Sequence, residues 1–154
     1  MPRDRGSVLM LFPAALLIVF ILGAIAVDAS VAFLAKRELN DTAAAMANDL
    51  AIEAISNAGF YTSADGAPRI ELDDGFVRAE SADGVLSGRA VRQLDSHYRD
   101  VAATAEVRDG CVIVTVRARG NYLFTGIVPG AARTFHLAAS AGATPRRGPG
   151  TATC

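Results

Sequence analysis

Few side chains in this chain are of the kind that do chemistry, and their spacing sets the first constraint. There are two histidines, His97 and His136. His97 stands between Asp95 and Tyr98 in a polar stretch, where a general base would need a nucleophile held beside it, and no serine lies in a G-x-S-x-G elbow. It reads as a solvated helix residue. Acids gather at Asp73-Asp74 and Asp83, and Ser-Ala-Asp-Gly occurs twice, at 63–66 and 81–84. A calcium loop places its acids at alternate positions and closes with a glutamate. That spacing is missing, so these acids read as turn residues. Glycine-rich phosphate loops are missing too. Cys111 and Cys154 make no C-x-x-C and no zinc spacing. In an oxidising compartment the two can pair as a disulfide; two free thiols, or a Cys154 bridge between chains, are the alternatives. The expectation is a non-enzyme with no metal, no cofactor and no small-molecule substrate.

Chemistry being sparse, the elements carry the information. The chain has 154 residues, enough for one domain and an accessory segment. Its net charge of −1 and scattered arginines make no basic stripe, so no nucleic-acid partner is expected.

The strongest signal lies near the start. No charge falls between Arg5 and Asp28, and residues 7–27 are almost wholly Leu, Ile, Val, Phe and Ala. A helix rises about 1.5 Å per residue, so this run matches a hydrocarbon core of about 30 Å once. Pro13, two turns in, is tolerated in a membrane helix. Arg3 and Arg5 with Ala24-Ile25-Ala26 beyond them also resemble an export signal, but the run exceeds a secretory h-region of about 7–15 residues.

The stretch beyond Asp28 also argues for an anchor. Ala32, Ala35, Leu39, Ala43, Met46, Leu50 and Ala54 recur at steps of three and four, which puts them on one helical face. Arg37, Asn40, Asp41, Asn48, Asp49 and Glu53 take the other faces. Asn57 and Gly59 supply a stop. The spacing predicts one helix over residues 7–58, with Asp28 marking where it leaves the membrane. Leu39, Ala43, Met46 and Leu50 are its packing face. The short basic tail favours a cytoplasmic N-terminus and an extracytoplasmic C-terminus.

The second half reads as strands. "PRIELDDGFVRAE" (68–80) centres on Asp74-Gly75, a two-residue hairpin signal. The competing reading has Asp73 or Asp74 capping a short helix through Val77 to Glu80. "ATAEVRDGCVIVTVRAR" (103–119) centres on Asp109-Gly110 and sets Val107 opposite Val112, Ala105 opposite Val114 and Ala103 opposite Val116. "RTFHLAASA" (133–141) alternates Phe135, Leu137, Ala139 and Ala141 inward as a third strand. The apolar link between them is expected to bury Tyr122, Leu123, Phe124 and Ile127 in part. A short helix is expected over 88–99 with Ser87 as N-cap, and the glycine- and proline-rich tail 142–154 is expected to be disordered.

The Arg-Gly start, the proline-bearing apolar helix, "VDAS" and "AKREL" running into an Ala-rich helix resemble the start of TadE/TadG-like proteins of tight-adherence (Flp-type) pilus systems. "DGCVIVTVRAR…LF…VPG…AASA" is similar to the closing strands of the small TadE-like members. The two stretches cover about 60% of the chain; residues 60–100 carry none of the likeness. The resemblance implies an inner-membrane, single-pass, pilin-like minor component (a pseudopilin). Its partners would be the lipid membrane and other pilin-like subunits or secretion-platform proteins. It also implies candidate prepilin-type processing between Gly6 and Ser7, although Leu11 stands where such proteins carry a glutamate. The expected organisation is therefore a basic cytoplasmic tail (1–6), a transmembrane helix (7–27), an extracytoplasmic α+β head (28–141) and a tail (142–154). A membrane-anchored interaction domain unrelated to pili is the alternative.

Overall fold

The computed structural model describes residues 7–55, 72–94, 96–125, 130–145 and 154. Helix α1 runs unbroken through Ser7–Glu53, past both Pro13 and Asp28. At 1.5 Å per residue it is roughly 70 Å long. No glycine or proline interrupts the stretch after Asp28. The Ser30 hydroxyl donates back to the Ala26 carbonyl at 2.8 Å, so it is satisfied within the helix.

The helix ends at Glu53, five residues short of the expected Ala58. Tertiary pairing stops it: Ile55 forms an antiparallel bridge with Leu72, and the Asp73 N–H donates to the Ala54 carbonyl at 2.8 Å. The expected stop at Asn57 and Gly59 lies outside the described residues.

The Asp74-Gly75 hairpin does not form. The segment is helix α2 (Asp74–Ala82), the competing reading of the sequence. Asp73 is its N-cap, with Oδ1 accepting the Phe76 N–H at 3.0 Å. Asp74 pairs with Arg78 one turn on, and Val77 is buried. Helix α3 is Val85–Gln93, earlier than the expected 88–99, and its N-cap is Gly84 at φ +71 rather than Ser87. Ser87 serves the sheet instead: its Oγ accepts the Ala103 N–H at 3.1 Å. Val91 on this helix is exposed, while Leu86 and Ala90 are buried.

Strands β1 (Arg99–Arg108), β2 (Cys111–Asn121) and β3 (Thr134–Ala143) form an antiparallel sheet in the order β1-β2-β3. The Asp109-Gly110 hairpin forms in the expected register, with Val107 against Val112, Ala105 against Val114 and Ala103 against Val116. Gly142 and Ala143 belong to β3, so the expected start of the tail at 142 falls inside a strand. Residues 146–153, most of that expected disordered tail, lie outside the described residues.

The fold is α+β in two layers. The outer part of α1 lies on β2 and β3, while α2 and α3 lie on β1. Leu39, Leu50, Val77, Leu86, Val112, Val114 and Val116 are fully buried in one core. Each such side chain stabilises by roughly 1.5–3 kcal/mol relative to exposure. Exposed ion pairs such as Arg37–Asp41, at 4.0 Å, contribute at most about 1 kcal/mol. The core, not surface charge, holds the head together.

Candidate functional site at the helix–loop junction

The expected packing face of α1 is buried: Leu39, Ala43, Met46 and Leu50 are all at most 3% exposed, joined by Ala47 and Ala51. The opposite face, with Arg37, Asp41, Asn48 and Ile52, stays open to solvent. Cys111 and Cys154 are joined by a disulfide, with Cα atoms 6.0 Å apart. The link ties the last residue to the start of β2 and lays it over Gly142, where a Cβ would meet Cys154 Cβ at 2.6 Å. Of the candidate processing pair, Gly6 lies outside the described residues and Ser7 opens α1. His97 sits in the turn after α3, not on the helix, and His136 is exposed on β3. Among the described residues no three His, Cys, Asp or Glu side chains gather as metal ligands.

The site the residues do build centres on Asp28. The residue is only 3% exposed, although it stands on the boundary between the apolar and amphipathic parts of α1. Oδ1 accepts the backbone N–H groups of Leu123 at 2.9 Å and Phe124 at 3.0 Å, and Oδ2 accepts that of Thr125 at 2.8 Å. Three successive amides thus converge on one carboxylate, in the manner of an anion-binding nest. The cover is local, made by the backbone of this turn.

Removal from water is the largest single influence on the Asp28 carboxyl, and it raises the pKa. The Phe124 and Thr125 amides, the Thr125 side chain and the Leu123 amide together outweigh it and hold the pKa below its ordinary value. The Thr125 hydroxyl acts in the same direction from nearby, though Oγ1 reaches hydrogen-bond geometry with no partner. Asp28 is therefore an ionised, satisfied acceptor. Sequence reasoning marks it as a boundary and misses this role. Its one signal is an isolated acid inside a helix that does not break.

Both sides of the turn are held in place. The Tyr122 N–H donates to the Arg133 carbonyl at 3.1 Å, and the Tyr122 ring meets Phe135 at 5.0 Å between centroids. Phe135 lies across Gly120, its cross-strand partner, where a Cβ would fall 2.4 Å from the ring. A side chain there would force the ring to shift. Beside this, Tyr98 donates to Glu38 Oε2 at 2.7 Å, fastening α1 to the start of β1. A hollow of about 510 Å³ lies between α1 and this end of the sheet, walled by Leu34, Ala35, Tyr98, Leu123 and Phe135.

With its donors spent on Asp28, the turn points its side chains outward. Leu123 is 59% exposed and Phe124 45%, against the expectation that both are partly buried. Tyr122 is half-buried as expected, and Ile127 lies outside the described residues. The reason is geometric: three consecutive amides directed at one carboxylate leave Leu123 and Phe124 no path back into the core. Phe124 instead shares an open groove of about 880 Å³ with residues of the apolar part of α1, among them Phe20, Gly23, Ala24 and Val27.

The arrangement thus combines a long helix, an open polar face and an apolar turn pinned beside the apolar part of that helix. No family model, no curated protein and no solved structure matches this chain.

Proposed function

We propose that this chain is a single-pass, membrane-anchored, pilin-like minor component of a tight-adherence pilus or a related secretion system. It acts by assembly and protein–protein docking rather than by catalysis. Its N-terminus faces the cytoplasm and its α+β head lies outside the inner membrane.

The observation that carries the reading is one continuous helix with two environments. One N-terminal helix is long and apolar enough to cross a membrane. Eleven large apolar side chains between Leu11 and Val27 stand 42–71% exposed. Leaving them in water would cost on the order of 10 kcal/mol or more, as much as a whole domain's stability. They need a cover, and lipid is the one their length and composition fit. Beyond Asp28 the same helix packs on a small antiparallel sheet, the architecture that the TadE-like resemblance implies. The polar face of the outer helix, with Arg37, Asp41 and Asn48, is then free to meet another subunit.

Site-specific photo-cross-linking from Asp41 in the native membrane tests this. The expected product is an adduct with a pilin-like subunit or a polytopic secretion-platform protein. Adducts confined to proteins of no secretion system would favour an anchored interaction domain unrelated to pili and overturn the assembly reading.

A further inference from the structure

A carboxylate at the edge of a bilayer is costly unless paired, and so is an open turn whose amides have lost water. Here each answers the other. Asp28 comes directly after the last residue of the charge-free run, and its partners are three consecutive backbone N–H groups of the turn after β2. The turn is thereby relieved of the donors that would keep it in water, and what it presents outward is Leu123 and Phe124. Among the described residues, every other wall of the groove that Phe124 lines belongs to the apolar part of α1, from Pro13 to Val27. The ring therefore lies alongside the segment read as spanning the bilayer, on its membrane side.

We propose that the 122–125 turn is a membrane wedge: Phe124, presented on the Asp28 carboxylate, enters the acyl–glycerol boundary of the outer leaflet beside α1, while Leu123 walls the hollow on the head side. The occupant of the apolar patch is lipid, because the patch is continuous with the apolar surface of the helix. The wedge gives the head a second foothold on the bilayer, off the helix axis. A head held by one helix can swivel and tilt; a head held at two points cannot. The turn thus sets the orientation in which the open face of α1 meets a partner. This rests on the reading that α1 spans a membrane, and the test separates the two.

The chain contains no tryptophan, so single-tryptophan reporters can be placed without background. Three exposed positions serve: Phe124→Trp in the turn, Phe20→Trp in the apolar helix and Val91→Trp on α3. The full chain carrying each is reconstituted in phosphatidylethanolamine–phosphatidylglycerol vesicles with lipids brominated near the glycerol end or near the methyl end of the acyl chain. Phe20→Trp is expected to be quenched by bromines deep in the chain, and Val91→Trp by neither. Phe124→Trp is expected to be quenched several-fold more than Val91→Trp, chiefly by the shallow bromines. Adding Asp28→Ala is expected to bring that quenching down toward the Val91→Trp level; unchanged quenching would remove the carboxylate from the proposal. If Phe20→Trp is quenched but Phe124→Trp is not, the span stands and the wedge is wrong. If Phe20→Trp itself escapes quenching, the span reading fails. Blue-shifted Phe124→Trp emission that bromines leave untouched, and that is lost on diluting the protein in lipid, would put a second copy on the patch and overturn the lipid assignment.

Discussion

The two parts of α1 are one helix with the same backbone, yet they obey opposite rules. Between Leu11 and Val27 the side chains are apolar all round and uncovered by protein, while beyond Asp28 a stripe from Ala35 to Ala54 is buried to within a few per cent. On the reading that the first part crosses a membrane, the difference is one of solvent. A helix in lipid needs no polar face and gains nothing from a stripe, whereas a helix beside water must confine its apolar residues to the side it covers. Asp28 is the hinge between these regimes. It is tolerated there because the turn after β2 supplies three donors.

The comparison is broken most directly by matched truncations. Leu50→Ala removes a fully buried side chain from the head core and is expected to cost about 2–4 kcal/mol, with Val114→Ala close behind. Leu17→Ala, on the apolar part, is expected to leave head stability unchanged. Urea unfolding of the full chain in detergent micelles, monitored by a signal from the sheet, reads all three. Equal midpoints for Leu50→Ala and the parent would mean that the outer helix is not part of the core.

Smaller effects sharpen the boundary. Gly120→Ala places a Cβ against the Phe135 ring and is expected to destabilise by about 1–3 kcal/mol. It should loosen the turn at Asp28, visible as faster amide exchange at Leu123 to Thr125. At the far end of the outer helix, Asp73→Ala removes the cap of α2 and is expected to cost about 1 kcal/mol in the same urea experiment.

Acid probes the junction itself. The folded Asp28 carboxyl sits below its ordinary pKa, so its contribution is complete above the unfolded value of about 4 and is lost as pH falls through the folded one. Thermal midpoints measured from pH 6 downward are expected to fall less steeply for Asp28→Asn than for the parent. The smallest effect is expected at the open face: Asp41→Asn breaks a fully solvated pair and should move stability by less than about 0.5 kcal/mol. A loss of cross-linking yield from a probe at Asn48, on the same face, without a loss of stability would mark the face as a docking surface.

Much of this is legible in the sequence, for reasons that particular residues show. The steps of three and four from Ala35 to Ala54 and the period of two in Val112, Val114 and Val116 are local signals, and each names a face before its partner is known. Asp109-Gly110 is legible as a hairpin because both flanks alternate and both turn residues take positive φ, +53 and +75. The same dipeptide at 74–75 does otherwise. Its flanks "RIEL" and "FVRAE" allow cross-strand pairs, but they equally allow a capped helix, and Asp73 and the Asp74–Arg78 pair favour the helix. A dipeptide fixes a turn only when no cap competes for it.

By itself the sequence determined an apolar run long enough to cross a membrane, the unbroken helix across Asp28, the packing stripe and the β1–β2 register, since each depends on spacing along a few turns or a few strand residues. Only the tertiary structure decided where α1 ends, which element covers β1, and that the Phe135 ring lies across Gly120. Only it revealed that Asp28 serves a turn some 95 residues away and so turns Leu123 and Phe124 outward. Those outcomes depend on which backbone donors and which volumes meet in space, and no periodicity in the chain records such meetings.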